Sequence, residues 1–186
     1  MSAPVRDSAG RIVTDRLRLR QWVEADLEPF AAMGKDPRVM AYFPTLLTRA
    51  ESDAQAMRQH QSIATTGIGF WAVETLATGR FIGFTGIKPV TMPGPIEGET
   101  EIGWRLACEH WGMGYAREAA AAALHIGFVE RGLASVVAMT VVGNTASWGL
   151  MERLGMARRP DLDLDHPDLP DGHRLRPHIV YSIAAP

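Results

Sequence analysis

The sequence predicts an α/β fold in a single domain, and three observations carry the prediction. A length of 186 residues, 46% hydrophobic and 22% charged, suits one well-packed globular unit rather than a disordered or repetitive chain. Residues 69–76 (GFWAVETL) and 80–90 (RFIGFTGIKPV) are rich in aromatic and β-branched side chains. Ala77, Thr78 and Gly79 between them make a tight turn, so the pair reads as an antiparallel hairpin. Residues 100–107 (TEIGWRLA) and 135–142 (SVVAMTVV) read as strands joined by a helix, a crossover that requires parallel pairing.

Each element follows from local pattern. Arg16, Leu17, Arg18, Leu19 and Arg20 alternate charged and apolar side chains, as in a strand with one face in water. From Glu24 to Gly34, Leu27, Phe30, Ala31 and Met33 recur at three- and four-residue spacings, a short helix with Gly34 as its stop. Pro37 and Pro44 bracket a loop, after which Thr48 and Glu51 form a capping box that opens a helix to about Thr65. The hairpin comes next, and a loop with Pro93, Gly94, Pro95 and Gly98 leads into strand 100–107. In the crossover helix Tyr115, Ala119, Ala122, Ile126 and Val129 form one apolar stripe, stopped by Gly132. The 135–142 run is apolar without alternation, the pattern of a strand covered on both faces. Ala146 to Leu154 is a helix ended by Gly155, and HIVYSI (178–183) is a closing strand. One domain spans 1–186, with residues 1–11 expected to be flexible.

Composition narrows the function. A net charge of −2 provides no basic footprint for nucleic acid, which is not expected as a partner. Cys108 is the only cysteine, which excludes an internal disulfide and a Cys-rich zinc site and fits a reducing cytoplasm. The first residues lack a signal-peptide core and no apolar run reaches the ~18 residues of a membrane span, so a soluble, cytoplasmic protein without a membrane partner is expected. The six histidines show no paired metal spacing, and no metal is expected.

The stretch EHWGMGYAREAAAAALHIGFVERG (109–132) carries the chemistry. The first N–H groups of a helix lack internal partners, and the helix dipole adds about half a positive charge there. Gly112, Gly114 and Ala116 leave the approach side nearly bare, so a phosphate can reach several amides. Taken alone, the same pattern also describes a flexible loop. Arg117 sits in the first turn, where a cation is disfavoured by roughly 0.3–1 kcal/mol unless a bound polyanion reverses the penalty. An arginine extended into water is the other reading; Glu118 beside it is the acid expected at that end.

WGMGYAREA, preceded by EIGWRL and followed after the next strand by NTASWGLMERLGM, resembles the GNAT superfamily of acetyl-CoA-dependent N-acetyltransferases. TDRLRLR, DPRVMAYF and HRLRPHIVYS are similar to its branch of ribosomal-protein N-terminal (alanine/serine) acetyltransferases, so the resemblance covers nearly the whole chain. It implies a GNAT-like mixed, mostly antiparallel twisted sheet with helices on both faces. The sheet would splay between the fourth and fifth strands, TEIGWRL and SVVAMTVV. It implies that the amides of Gly112, Met113, Gly114, Tyr115, Ala116 and Arg117 hold the diphosphate of acetyl-CoA, with CoA as product. Backbone groups of Trp104, Arg105 and Leu106 would pair with the pantetheine arm. Asn144 would lie near the thioester and Ser147 three residues on. Two positions depart from the family pattern: Glu109 replaces a Gln or Arg before the turn, and Met151 replaces a tyrosine that serves many members as general acid.

The chemistry tolerates Met151. A thiol has a pKa near 8.5, so its thiolate leaves without much help from an acid, and Ser147 is placed either to donate to that sulfur or to cap its helix. A peptide α-amine with a pKa of about 7.7–8.0 is partly neutral at pH 7, whereas a lysine amine near 10.4 is not. Glu101 is the candidate base, an outward strand residue being the alternative. The acceptor ranked first is a protein or peptide α-amine, and the second a small-molecule amine such as an antibiotic or polyamine; a non-catalytic acyl-CoA-binding domain is the reading from another class. The acceptor pocket is assigned to residues 36–48 and 160–178. Within the latter, His173 and His178 are weak candidates and Asp161, Asp163, Asp165, Asp168 and Asp171 form an acidic run, a solvated loop or a lure for a cationic acceptor. A homodimer is left open.

Overall fold

A computed structural model describes residues 3–186 and contains ten strands and four α-helices. The strands are β1 (Val5–Arg6), β2 (Ile12–Val13), β3 (Leu17–Arg20), β4 (Gly69–Thr75), β5 (Phe81–Pro89), β6 (Thr100–Leu106), β7 (Ser135–Thr140), β8 (Ala157–Arg158), β9 (Leu164–Asp165) and β10 (Pro177–Ala184). The helices are α1 (Leu27–Lys35), α2 (Arg49–Thr66), α3 (Tyr115–His125) and α4 (Thr145–Arg153). The sheet order is β1-β2-β3-β4-β5-β6-β7-β10-β8, with β9 on the side of β10. Every pairing is antiparallel except β6 with β7. The expected mixed, mostly antiparallel sheet is therefore the observed one.

Local chemistry explains the boundaries. Thr48 caps α2 through the anticipated box: its Oγ1 accepts from the Glu51 N–H at 3.3 Å, and its own N–H donates to Glu51 Oε2 at 2.8 Å. The alternation in β3 buries Leu17 and Leu19 completely and leaves Arg18 and Arg20 half-buried on the other face. One buried cluster, including Ile82, Ile102, Leu106, Val136 and the alanines of α3, fills one side of the sheet. A second, built from Trp22, Phe30, Met33, Ala56 and Phe84, lies under α1 and α2 on the other. Helices thus cover both faces, and β7 is enclosed on both, with Val136 and Ala138 in the first cluster and Val137 in a third beside Val180.

Three expectations need correction. The segment 1–11 is not a free arm in its described part: Val5 and Arg6 pair with Val13 and Ile12, and Arg6 Nη2 meets Glu130 Oε2 at 2.7 Å. The apolar stripe of the crossover helix fails at Val129, which is 66% exposed, because residues Ile126–Glu130 form a π turn. The wider turn rotates the later side chains and brings Gly127 inward against Ile87 and Leu133. Short strands also arise where pattern alone assigns none, β8 directly after α4 and β9 within the acidic tail. Among the described residues no helix is long and apolar enough to cross a membrane, and no group of three His, Cys, Asp or Glu side chains converges to hold a metal.

Candidate active site

The sheet opens between β6 and β7, the TEIGWRL and SVVAMTVV strands at which the resemblance implies a splay. β5 pairs with β6 along its length from Pro89↔Thr100 to Gly83↔Leu106, but β6 meets β7 only at Glu101↔Val137. Beyond that point β7 is held from its other side by β10, from Ile179↔Thr140 to Ala184↔Ser135. Glu101 therefore stands at the apex of a gap that widens toward Leu106. Which backbone groups face the gap follows from antiparallel alternation. The Val90 N–H donates to Glu99 O at 2.8 Å and the Ala107 N–H to Ile82 O at 3.0 Å. Counting alternate pairs inward from either end, Arg105 points its N–H and C=O toward β5, whereas Trp104 and Leu106 point theirs into the gap. The expectation that Trp104, Arg105 and Leu106 all offer backbone groups is thus corrected to Trp104 and Leu106. The Leu106 carbonyl already accepts from Trp111 Nε1 at 2.8 Å.

At the wide end lies the glycine turn. Gly112 has φ 74 and Gly114, the residue before α3, has φ 79, and both need the left-handed region that glycine occupies without a Cβ penalty. A Cβ at Gly112 would meet nothing within 4 Å, so the approach side is open. Among the described residues the backbone N–H groups of Gly112, Met113, Gly114, Tyr115, Ala116 and Arg117 donate to no backbone or side-chain acceptor; the first bonded amide is that of Glu118, to Gly114 O at 3.1 Å. Arg117 is exposed and makes no side-chain hydrogen bond or ion pair among the described residues. Glu109 points near the Cys108 thiol at 3.6 Å and is exposed.

Sequence reasoning missed what holds this turn. Arg16, just ahead of β3, donates from Nη1 to the Met113 carbonyl at 2.9 Å and from Nε to Glu118 Oε2 at 2.7 Å, with its guanidinium 4.7 Å over the Tyr115 ring. Glu118 is 4% exposed, and its Oε1 accepts from Thr14 Oγ1 at 2.6 Å and from the Arg16 N–H at 2.8 Å. The first-turn acid expected only to complement the helix dipole is a fully bonded buried carboxylate. Local pattern signals each of these residues, but nothing in it pairs positions so far apart in the chain.

On the β7 side Asn144 caps α4: its side-chain oxygen accepts from the Ser147 N–H at 3.3 Å and its Nδ2 donates to Thr140 Oγ1 at 3.1 Å. Ser147 is therefore not the cap, and its half-buried hydroxyl makes no hydrogen bond among the described residues. Met151, where the resemblance would place a tyrosine, is 1% exposed and packed in the core. Tyr42, from the loop after α1, brings its ring to within 3.5 Å of where a Gly143 Cβ would stand, beside the α4 cap.

The face of β6 opposite α3 presents Glu101, Gly103 and Arg105. Lys88 Nζ lies 2.8 Å from Glu101 Oε1 and 5.4 Å from the Phe70 ring centre. Phe70 stacks on Phe84 at 5.3 Å, and the Arg105 guanidinium sits 4.0 Å over Phe43 and 5.3 Å from Phe84. Burial pulls the Arg105 pKa down to about 10. The tail expected to form the rest of the pocket reaches this region where Arg174 Nη2 donates to the Ala41 carbonyl at 3.1 Å. Its acidic run is largely neutralised: Asp161 pairs with Arg159, Asp163 with Arg158, and Asp165 and Asp171 with Arg176. The Arg159 and Arg158 guanidiniums hold Asp161 and Asp163 below the ordinary carboxylate range. His173 Nδ1 accepts from the Leu175 N–H at 3.2 Å, and His178 lies against His166 at 5.2 Å with its pKa lowered by burial, so both serve the tail's own structure.

Comparison with known proteins agrees with this geometry. The family described as Acetyltransferase (GNAT) domain matches residues 16–157. The chain is similar to YkkB of Bacillus subtilis (strain 168), a protein described only as uncharacterized: 37% identity over 149 residues, covering 78% of this chain and 84% of that one. Spermidine N-acetyltransferase from Vibrio cholerae, solved with CoA and spermine, shares the fold with a TM-score of 0.71 and 20% identity over 92% of this chain and 97% of that one. Ribosomal-protein-S5-alanine acetyltransferase from Vibrio fischeri does so with a TM-score of 0.71 and 16% identity, covering 94% and 96%.

Proposed function

Because this chain belongs to the GNAT acetyltransferase family, and so is an acetyl-CoA-dependent N-acetyltransferase, we propose that its acceptor is the α-amine of a protein or peptide, as in the ribosomal-protein branch, and that one acetyltransferase domain spans 1–186. The observation that carries the cofactor assignment is the run of unpartnered amides from Gly112 to Arg117 beside the unpaired edge of β6. Those amides and the Arg117 side chain receive the diphosphate, where donors pre-aimed at an anion contribute most. Trp104 and the Leu106 N–H receive the pantetheine amides in the manner of a neighbouring strand.

When bound, acetyl-CoA supplies an acyl carbon activated by a thiolate leaving group. Glu101, at the apex of the gap, takes the proton of the attacking amine through Oε2, the oxygen that Lys88 does not hold. Ser147 offers its free hydroxyl to the departing sulfur, and Asn144 fixes the helix turn that presents it. Met151 has a thioether with no proton to give, and a leaving group whose conjugate acid has a pKa near 8.5 departs without an acid there.

Two features favour an α-amine over a polyamine. Four of the five acids in the tail's run are paired with arginines, so they offer little field for a polycation. An α-amine also needs less deprotonation than an alkylamine. The test is release of free CoA thiol from acetyl-CoA with N-terminal peptides, with the same peptides blocked at the α-amine but carrying lysine, and with spermidine. Faster turnover of free-α-amine peptides supports the assignment; spermidine or blocked lysine peptides outrunning them would refute it.

A further inference from the structure

Arg105 is a cation on the acceptor face that the cofactor chemistry leaves unused. Its backbone belongs to the β5 pairing, so its side chain is what it can offer to a ligand. The residue is 9% exposed, and its Nε and Nη1 are buried without any hydrogen-bond partner. It makes no ion pair among the described residues, and burial lowers its pKa with no carboxylate among them offsetting the effect. Stacking on Phe43 and Phe84 satisfies the faces of the guanidinium but not its edge, where all five N–H donors lie in the plane. A buried cation with unused donors is costly to a fold, and a partner that brings its own anion relieves that cost.

Resting on the reading of this cleft as the acceptor site, we propose that Arg105 is a specificity residue that binds a carboxylate carried by the acceptor. The guanidinium fork matches a planar carboxylate through two parallel N–H···O bonds, with Nη2, the nitrogen outside the buried set, as the point of entry. Glu101 and Arg105 lie on the same face of β6 at a separation of roughly 13 Å, four residues at 3.3 Å each. An amine at Glu101 and a carboxylate at Arg105 are therefore bridged by about four residues of extended peptide at most. The preferred acceptor is a peptide N-terminus with an acidic side chain among its first few residues. Arg105 touches neither the thioester nor the attacking nitrogen in this arrangement, so it sets selectivity rather than the chemical step.

The experiment compares peptides that begin with alanine and carry Glu at position two, three or four with the same peptides carrying Gln. For the wild-type protein kcat/KM is expected to favour the Glu peptide at one of these positions by about tenfold or more, through KM rather than kcat. In Arg105→Met and Arg105→Gln that ratio falls to about one, and Arg105→Lys keeps part of it. Calorimetric binding of the same peptide pairs repeats the comparison without requiring turnover. A wild-type ratio near one in both assays overturns the proposal without any variant, as does a ratio that survives in folded Arg105→Met. Failure of every peptide to release thiol, with the Glu preference still present in binding, would instead count against the α-amine acceptor while upholding Arg105.

Discussion

Gly112 gives the most direct test of the anion-binding turn. Its φ is 74 and a Cβ there meets nothing within 4 Å, so alanine costs the fold only backbone strain, about 1–2 kcal/mol. For a chain of this size that is a fall in melting temperature of roughly 2–8 °C. The open space that spares the fold is also the space through which the proposed diphosphate would approach, so the new methyl group would displace at least one N–H···O contact. A hydrogen bond to a charged group contributes about 1.5–3 kcal/mol, which predicts CoA binding weakened about 10- to 150-fold. Gly132 supplies the control: its φ is 63, a Cβ there also meets nothing, and it lies at the far end of the same helical segment, roughly 25 Å away at 1.5 Å per residue. Gly132→Ala should lower the melting temperature by a similar amount and leave CoA affinity within about twofold of wild type. Isothermal titration of the two variants with CoA decides the matter. Equal affinities in Gly112→Ala, Gly132→Ala and wild type would refute the assignment of the diphosphate to this turn.

Further expectations concern neighbouring residues. Arg16→Met should reduce stability by about 1–3 kcal/mol, because Glu118 stays buried with only Thr14 and one backbone N–H to serve it, and should weaken CoA binding; melting and titration read the two effects separately. Asn144→Ala should cost about 1 kcal/mol as the loss of a cap, whereas Ser147→Ala should leave the melting temperature unchanged and lower kcat, a contrast that reverses if Ser147 is the structural residue. Glu101→Gln should reduce kcat/KM for a peptide roughly 10- to 100-fold at pH 7, and the deficit should shrink toward pH 9, where an α-amine supplies its own neutral fraction; a pH-independent deficit would argue against a base. Burial lowers the His178 pKa in the folded state, so below about 6.5 the unfolded chain binds more protons and stability falls with pH. His178→Phe should flatten that acid limb of a melting-temperature profile.

What the sequence made legible was local. The capping box at Thr48, the alternation of β3, the hairpin and the crossover each depend on residues within a few positions of one another, and each forms as read. The splay was legible only through resemblance. Two kinds of feature escaped. The first is long-range polar pairing: Arg16 with Met113 and Glu118, and Arg6 with Glu130, join segments about a hundred positions apart. The second is side-chain direction. Whether Arg105 presents its backbone or its guanidinium to a ligand depends on the phase of hydrogen bonding between β5 and β6, which composition does not encode. The π turn at Ile126–Glu130 is a similar case, since helix periodicity cannot anticipate a single inserted residue.

These long-range pairs solve a problem that the glycine turn creates for itself. Two left-handed glycines remove side chains from the path of an anion, but they also leave a segment that would lose much conformational freedom on binding. Nothing within the turn can brace it, because any side chain large enough to do so would occupy the approach. The brace must come from outside, and Arg16 supplies it from the start of β3, gripping the one carbonyl between the two glycines while Glu118 anchors the arginine to the first turn of α3. The anion binding proposed for this site would therefore depend on the packing of the N-terminal strands against α3. The same reasoning separates Arg16 from Arg105. One arginine has its donors filled by the chain and holds the shape of a site; the other is left unfilled on the face of β6 opposite α3, which is the signature expected of a group whose partner arrives with the substrate.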